Sequence, residues 1–278
     1  KGAFSMPVKN TTRTLVECAI MIALGTILAK ITLFEMPQGG SVTAVSMLPF
    51  IIIAYRHGVK WGLMTGFVNA CLQMLLGKLY APPAGTALAF FGMIMLDYVL
   101  AYMVLGFAGV LAKPFKNCYV AVTVSVIGTC FLRFLCSFLS GVLLYASYAP
   151  EGTPAVIYSL GYNATYMLPE MIVLIVVGYY LSSMIDLSEN GDFKPRNADE
   201  QKGLVSLPFN IAGGLAITAG LIYDTVAVFS QIQNAETGDF DVTLLANVSW
   251  IYVAIVSAVA AALAAIFFII GKKVKNSK

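Results

Sequence analysis

The sequence predicts an all-helical protein that crosses a membrane many times, and three observations carry that expectation. Of 278 residues, 59% are hydrophobic and 11% charged, with a mean hydropathy of +0.83. A water-soluble globule has about 45–50% apolar and about 25% charged residues. The apolar residues gather into runs of membrane-spanning length, and the cations between those runs fall in alternate turns.

Eight apolar runs can be drawn, at 14–33, 42–55, 58–77, 85–112, 117–147, 156–184, 205–230 and 243–271. The second falls short of the roughly 20 residues that a span needs, so it is expected to cross tilted or with help from its neighbours. Lys9 and Arg13 precede the first run, and Arg56 and Lys60 bracket the second turn. Lys113 and Lys116 flank the fourth turn, Lys194, Arg196 and Lys202 lie in the sixth, and four lysines end the chain. The intervening connections hold Lys78 with Glu35, Glu151, Glu236, Asp239 and Asp241. Cations collect on the cytoplasmic side of short loops, so both termini are expected in the cytoplasm. Ser188 to Gly203 is polar and broken by Gly191 and Pro195, which suggests a cytoplasmic linker (185–204) between a six-helix body (13–184) and an appended hairpin (205–271). The five residues ahead of Met6 read as a leader outside the fold, and the first run starts too early and continues too long for a cleaved signal peptide.

Two charges stand inside apolar runs. Asp97 interrupts the fourth and Arg133 the fifth. An ionised side chain at the centre of a span costs roughly 2.5–3.5 kcal/mol on insertion scales, so it usually faces a bundle interior or a watery cavity. Counted along the helices from Lys113 and Lys116, both lie about 24 Å from the same surface, toward the outside. They are expected to share one layer, either as part of a site or as a structural ion pair. Glu170, after Pro169 in the sixth run, reaches toward that layer, and Pro169 predicts a kink of functional or merely local meaning.

Tyr158, Tyr162 and Tyr166 repeat at helical spacing and form one stripe, with Asn163 beside it. Such a stripe is either an interfacial aromatic belt or the wall of a pocket. Tyrosine faces, a carboxylate and a carboxamide suit a flat, polar ligand, a cationic one included. The first run carries Ala19-x-x-x-Ala23, small residues that let another helix approach, within this chain or in another protein.

Composition also excludes functions. A net charge of +3 with its cations confined to turns and the tail gives no support for nucleic-acid binding. The five cysteines form no CxxC, so neither a disulfide frame nor a metal site is expected. There is no phosphate loop, HExxH or GxSxG, and the one histidine, His57, lies in a charged turn. No catalytic residue and no cofactor are expected, and a chain of this kind would need an ATPase from elsewhere to use ATP.

The stretches Met36-Pro37-Gln38-Gly39-Gly40-Ser41-Val42, Met47-Leu48-Pro49, Tyr55-Arg56-His57-Gly58, Leu96-Asp97-Tyr98 and Tyr158-Ser159-Leu160-Gly161-Tyr162-Asn163 resemble thiamine-specific S-components of energy-coupling factor (ECF) vitamin transporters. The resemblance covers about 13–184 and implies a multi-pass subunit of a bacterial plasma membrane. It would bind thiamine and dock on a transmembrane coupling protein and two ATPase subunits, which use the ATP. It places Asp97 at the acid that meets the thiamine cation, with Tyr98 beside it. Tyr80, Tyr158 and Asn163 match further pocket positions, Tyr145 an aromatic one and Arg133 a basic one. Ala19 and Ala23 match the alanines that meet the coupling protein. This chain departs at Ser137, where some relatives carry histidine, and at Gly40, where some carry tryptophan; Ser137 is still expected in the pocket. The alternative is a proton-coupled secondary transporter of a small cationic or heteroaromatic solute, with Asp97 or Glu170 as proton carrier.

The topology is open to a direct check. In a cysteine-free background, Gly238→Cys should react with an impermeant thiol reagent added outside intact cells, and Asn197→Cys should not; the reverse pattern inverts the orientation.

Overall fold

The computed structural model describes residues 11–36, 38–43, 45–77, 79–187, 194–195, 206–232 and 242–276. Helix α1 (Thr11–Ala29) leads into a small antiparallel hairpin, β1 (Thr32–Glu35) and β2 (Ser41–Thr43). There follow α2 (Leu48–His57), α3 (Val59–Leu76), α4 (Ala87–Leu111), α5 (Cys118–Leu144) and α6 (Ala155–Met184). Ile185–Asp186 (β3) pairs with Lys194–Pro195 (β4), and α7 (Leu207–Ile232) and α8 (Trp250–Asn276) complete the chain. Among the described residues α1, α4, α5, α6 and α8 are long and apolar enough to cross a membrane. With 18 and 26 residues, α3 and α7 have comparable length. Most of the expected linker (188–193 and 196–205) and the loop 233–241 lie outside the described residues.

The ends of the helices follow from local chemistry. Asn117 caps α5, its side-chain oxygen accepting from the backbone N–H groups of Tyr119 (2.9 Å) and Val120 (3.4 Å). Thr86 caps α4 in the same way through Ala89. Each cap satisfies donors that have no partner within the helix.

The second apolar run departs from expectation. Its first part is strand β2 and a turn, and a helix begins only at Leu48, with Pro49 suited to its first turn. Ten residues make α2 about 15 Å long, half a hydrocarbon layer, so it is no span. Every residue from Leu48 to Ala54 is buried, and the helix forms the axis of the body. Phe50 and Ile51 pack with Leu105 of α4, Val126 of α5 and Leu174 of α6. The apolar run is therefore a fully enclosed core helix, and apolar composition alone does not separate the two cases.

Close approach around this axis depends on small residues. A Cβ on Gly62 of α3 would lie 2.5 Å from the Ala54 Cβ and 2.7 Å from the Gly106 Cα. One on Gly106 of α4 would lie 2.7 Å from the backbone of Gly62. In α1, Gly25 faces the ring of Phe50, whereas Ala19 and Ala23 are exposed on the opposite side with Ile20 and Leu24. The small residues of α1 thus serve two faces, one closed by the body and one open.

At the end of the bundle that holds Arg56, Glu17 of α1 gathers three basic side chains. His57 Nε2 is 2.7 Å away, Arg13 Nε 3.2 Å and Arg56 Nε 3.4 Å. Arg56, one of the two cations that bracket the second turn, is 1% exposed and is a buried clamp between α1 and α2. Its place in the last turn of α2 also suits the negative end of the helix dipole.

The α7/α8 pair is joined by Tyr223 and Tyr252, whose hydroxyls are 3.1 Å apart, and by Ser257, which donates to Asp224. It meets the body where Gly214 packs on Val176 of α6. Little of α8 is buried.

Overpacking the α3/α4 contact should destabilise the body. Gly106→Val is expected to lower stability by about 1–3 kcal/mol, read as a lower melting temperature in detergent. Gly161→Ala, where an added Cβ meets nothing within 4 Å, should leave it unchanged.

Candidate ligand cavity

A cavity of about 240 Å³ opens at the end of the body that carries the β1/β2 hairpin. Asp97, Tyr98, Tyr80, Arg133, Ser137, Tyr145, Tyr158 and Asn163 all line it, brought together from α4, the α3–α4 loop, α5 and α6. Asp97 and Arg133 share a layer as the helical rise requires, but they are not partners. Ser140, one turn beyond Ser137 on α5, donates to Asp97 Oδ2 at 2.7 Å. The carboxylate near Arg133 is Glu170, at 3.9 Å, and the guanidinium also lies over the ring of Tyr102 at 4.9 Å. Of the two alternatives for this layer, the structural pair between Asp97 and Arg133 is not formed: the carboxylate beside Arg133 is Glu170, and Asp97 lines the cavity.

The backbone around Asp97 is unusual. Ile94–Leu100 winds as a π-helix, and Val104–Phe107 tightens into a 3₁₀ turn before α4 resumes. A wide turn shifts the side chains that follow it around the helix axis, so Tyr98 and Tyr102 both line the cavity with Asp97. Wide turns of this kind gather at functional sites. No residue in the run announces one.

Tyrosines form most of the remaining wall. The stripe Tyr158, Tyr162, Tyr166 faces the cavity, so the reading as an interfacial belt does not hold for these three. Adjacent ring centroids are 5.9 and 6.2 Å apart. Their hydroxyls are spent on fixed partners. Tyr158 donates to Gln38 Oε1 (2.8 Å), Tyr162 donates to the Gly39 carbonyl (2.8 Å) and accepts from the Gln38 N–H (3.0 Å), and Tyr166 donates to Asn163 Oδ1 (2.8 Å). Asn163 Nδ2 donates to the Ser159 carbonyl at 2.9 Å. On the other side Tyr145 donates to the Tyr80 carbonyl (2.6 Å), and Tyr80 donates to Glu35 of β1 (3.1 Å). Burial and this bond to Glu35 push the Tyr80 hydroxyl above its ordinary pKa, so it remains a donor at neutral pH.

The hairpin turn is part of the wall. Gly39 and Gly40 both have φ of +95°, a conformation natural to glycine. A Cβ on Gly39 would lie 2.9 Å from the Tyr80 ring, and one on Gly40 2.7 Å from the Tyr166 ring. The departure at Gly40 thus has a local cause: Tyr166 fills the space where a larger residue would stand.

The family described as Thiamine transporter protein (Thia_YuaJ) matches residues 15–188. The chain belongs to this family. Among curated relatives, the thiamine transporter ThiT of Bacillus subtilis (strain 168) is 38% identical over 174 residues, covering 59% of this chain and 86% of that protein. ThiT of Lacticaseibacillus paracasei is 26% identical over 188 residues, 60% of this chain and 86% of the relative. A solved structure of ThiT from Listeria monocytogenes shares the fold, with a TM-score of 0.52 at 24% identity over 62% of this chain and 93% of that one. The chain is therefore a multi-pass, all-helical membrane protein whose relatives are named as transporters. The α7/α8 hairpin lies beyond the matched residues.

Sequence reading did not single out Gln38, Tyr102 or Ser140 as wall residues. Ser140 carried a usable signal, since it lies on the Arg133/Ser137 face of α5; Tyr102 did not, because its direction depends on the wide turn.

Asp97→Asn removes charge at constant size. It should weaken a cationic ligand by roughly 10- to 150-fold, the worth of a charge-assisted contact, and a neutral isostere far less, measured by titration of the purified protein. Equal losses would assign Asp97 a purely structural role.

Proposed function

We propose that this chain is the high-affinity thiamine-binding membrane subunit of an uptake system, and that it carries solute across only with an ATP-hydrolysing energy-coupling module. The observation that supports this reading is a cavity in a thiamine transporter family member that sets one carboxylate, Asp97, among tyrosine rings. Among the described residues no cation stands within ion-pair distance of Asp97, whose hydrogen-bond partner is Ser140. A ligand with a delocalised positive charge supplies that missing charge. Flat faces for the tyrosines, and donors and acceptors for Asn163, Ser137 and Arg133, complete the match.

In this reading Asp97 meets the thiamine cation. Tyr98, Tyr80, Tyr145 and Tyr158 enclose the rings, Asn163 and Ser137 hydrogen-bond the edges, and Arg133 closes the deep end. The body from 13 to 184 is the binding domain, 185–204 a cytoplasmic linker and 205–271 an extension, with both termini in the cytoplasm. The chain catalyses no reaction. The exposed Ala19/Ala23 stripe of α1 is where a coupling protein would seat, since small side chains let a second backbone come close.

Two measurements test it. Thiamine should quench or shift the intrinsic fluorescence of the purified protein in a saturable way; absence of binding for thiamine and its analogues would remove the reading. Ala19→Trp or Ala23→Trp should keep that binding and abolish ATP-dependent uptake when the module is present. Accumulation driven by a proton gradient in vesicles holding this chain alone would instead favour a secondary transporter.

A further inference from the structure

Glu170 lines no part of the cavity, yet it is tied to both the cavity wall and the hairpin. It is 1% exposed. Its Oε1 accepts from Thr43 Oγ1 of β2 at 2.6 Å, and Thr43 shares a further hydrogen bond with Ser46 at 2.7 Å. Its Oε2 makes no hydrogen bond and lies 3.9 Å from Arg133. Arg133 Nε is likewise without a hydrogen bond, and the guanidinium rests against the Met47 sulfur and the Tyr102 face. The arginine is thus fixed from behind and open in front.

A buried guanidinium without a compensating charge would repel a cation and attract an anion, since charges act strongly across a poorly solvated site. Asp97 and Arg133 line this cavity, and Glu170, outside the lining, stands 3.9 Å from Arg133, so the three charges together leave a net negative charge carried at the surface by Asp97. The charge behind the wall decides how much of Arg133 a ligand feels.

We propose that Glu170 is a specificity-determining positioning residue: it holds Arg133 in the wall and cancels its charge toward the cavity, so that the site takes a monocation in preference to the same molecule carrying a phosphate. This rests on the thiamine reading. Thiamine and thiamine monophosphate are the natural probes, because a phosphate adds about −1.5 to −2 charges at neutral pH to the same ring system.

The test is a double-mutant cycle on the purified full chain, reading the ratio of the two dissociation constants in wild type, Glu170→Gln, Arg133→Gln and the double variant. Glu170→Gln should shift the ratio toward the monophosphate by roughly tenfold, the scale of a charge-assisted contact. In the Arg133→Gln background that shift should vanish, because Glu170 acts through Arg133. A role in packing alone would weaken both probes equally and leave the ratio fixed, and that outcome overturns the inference, as does an undiminished shift without Arg133. If Glu170→Gln does not fold, Glu170→Asp draws the carboxylate back from Arg133. It should move the ratio the same way by a smaller factor, and an unmoved ratio overturns the inference. Failure of the thiamine reading is separate, since wild type itself would then bind neither probe.

Discussion

Within a hydrocarbon layer no solvent completes an unpaired polar group, so every charge and every backbone amide must find its partner inside the protein. That constraint organises this body around Asp97. The carboxylate draws a hydroxyl from Ser140 and is enclosed by tyrosines whose own hydroxyls are spent on the hairpin, on Asn163 or on the α3–α4 loop. The wall is made of aromatic faces because those are the polarisable surfaces that survive once the hydroxyls are committed.

The hairpin and the helices depend on each other. With four and three residues, β1 and β2 are too short to hold a shape alone, and isolated two-stranded ribbons are marginal in water. Here Tyr158 and Tyr162 of α6 hold the turn through Gln38 and Gly39, while Tyr80 reaches Glu35. The turn in return seats Tyr166 beneath Gly40. A side chain at Gly40 and the ring of Tyr166 would compete for one volume.

Length, apolar runs and charge alternation made the helical membrane fold legible, and the rise per residue brought Asp97 and Arg133 to one depth. The eight residues that the family resemblance implies for the pocket all line a single cavity. What sequence could not resolve has specific causes. Glu170 continues the i+4 spacing of Tyr158, Tyr162 and Tyr166, but its pairing with Arg133 of α5 depends on how two helices meet, which spacing within one helix does not give. The run at 42–55 is apolar because it is enclosed, and enclosure by protein reads the same as enclosure by lipid. The wide turn at Ile94–Leu100 has no residue signature, so Tyr102 could not be assigned a direction. Arg56 counts in the sequence only as a cation of the second turn, and its burial depends on Glu17 of α1, 39 positions away.

The short central helix fixes how far a solute still has to go. Met47, just ahead of α2, touches Arg133 at the cavity floor, while His57 at the other end meets Glu17. One ten-residue element therefore separates the floor from the opposite face, about 15 Å of helix whose residues from Leu48 to Ala54 are all buried and apolar. The body is a cup on a short plug rather than a pore with a gate.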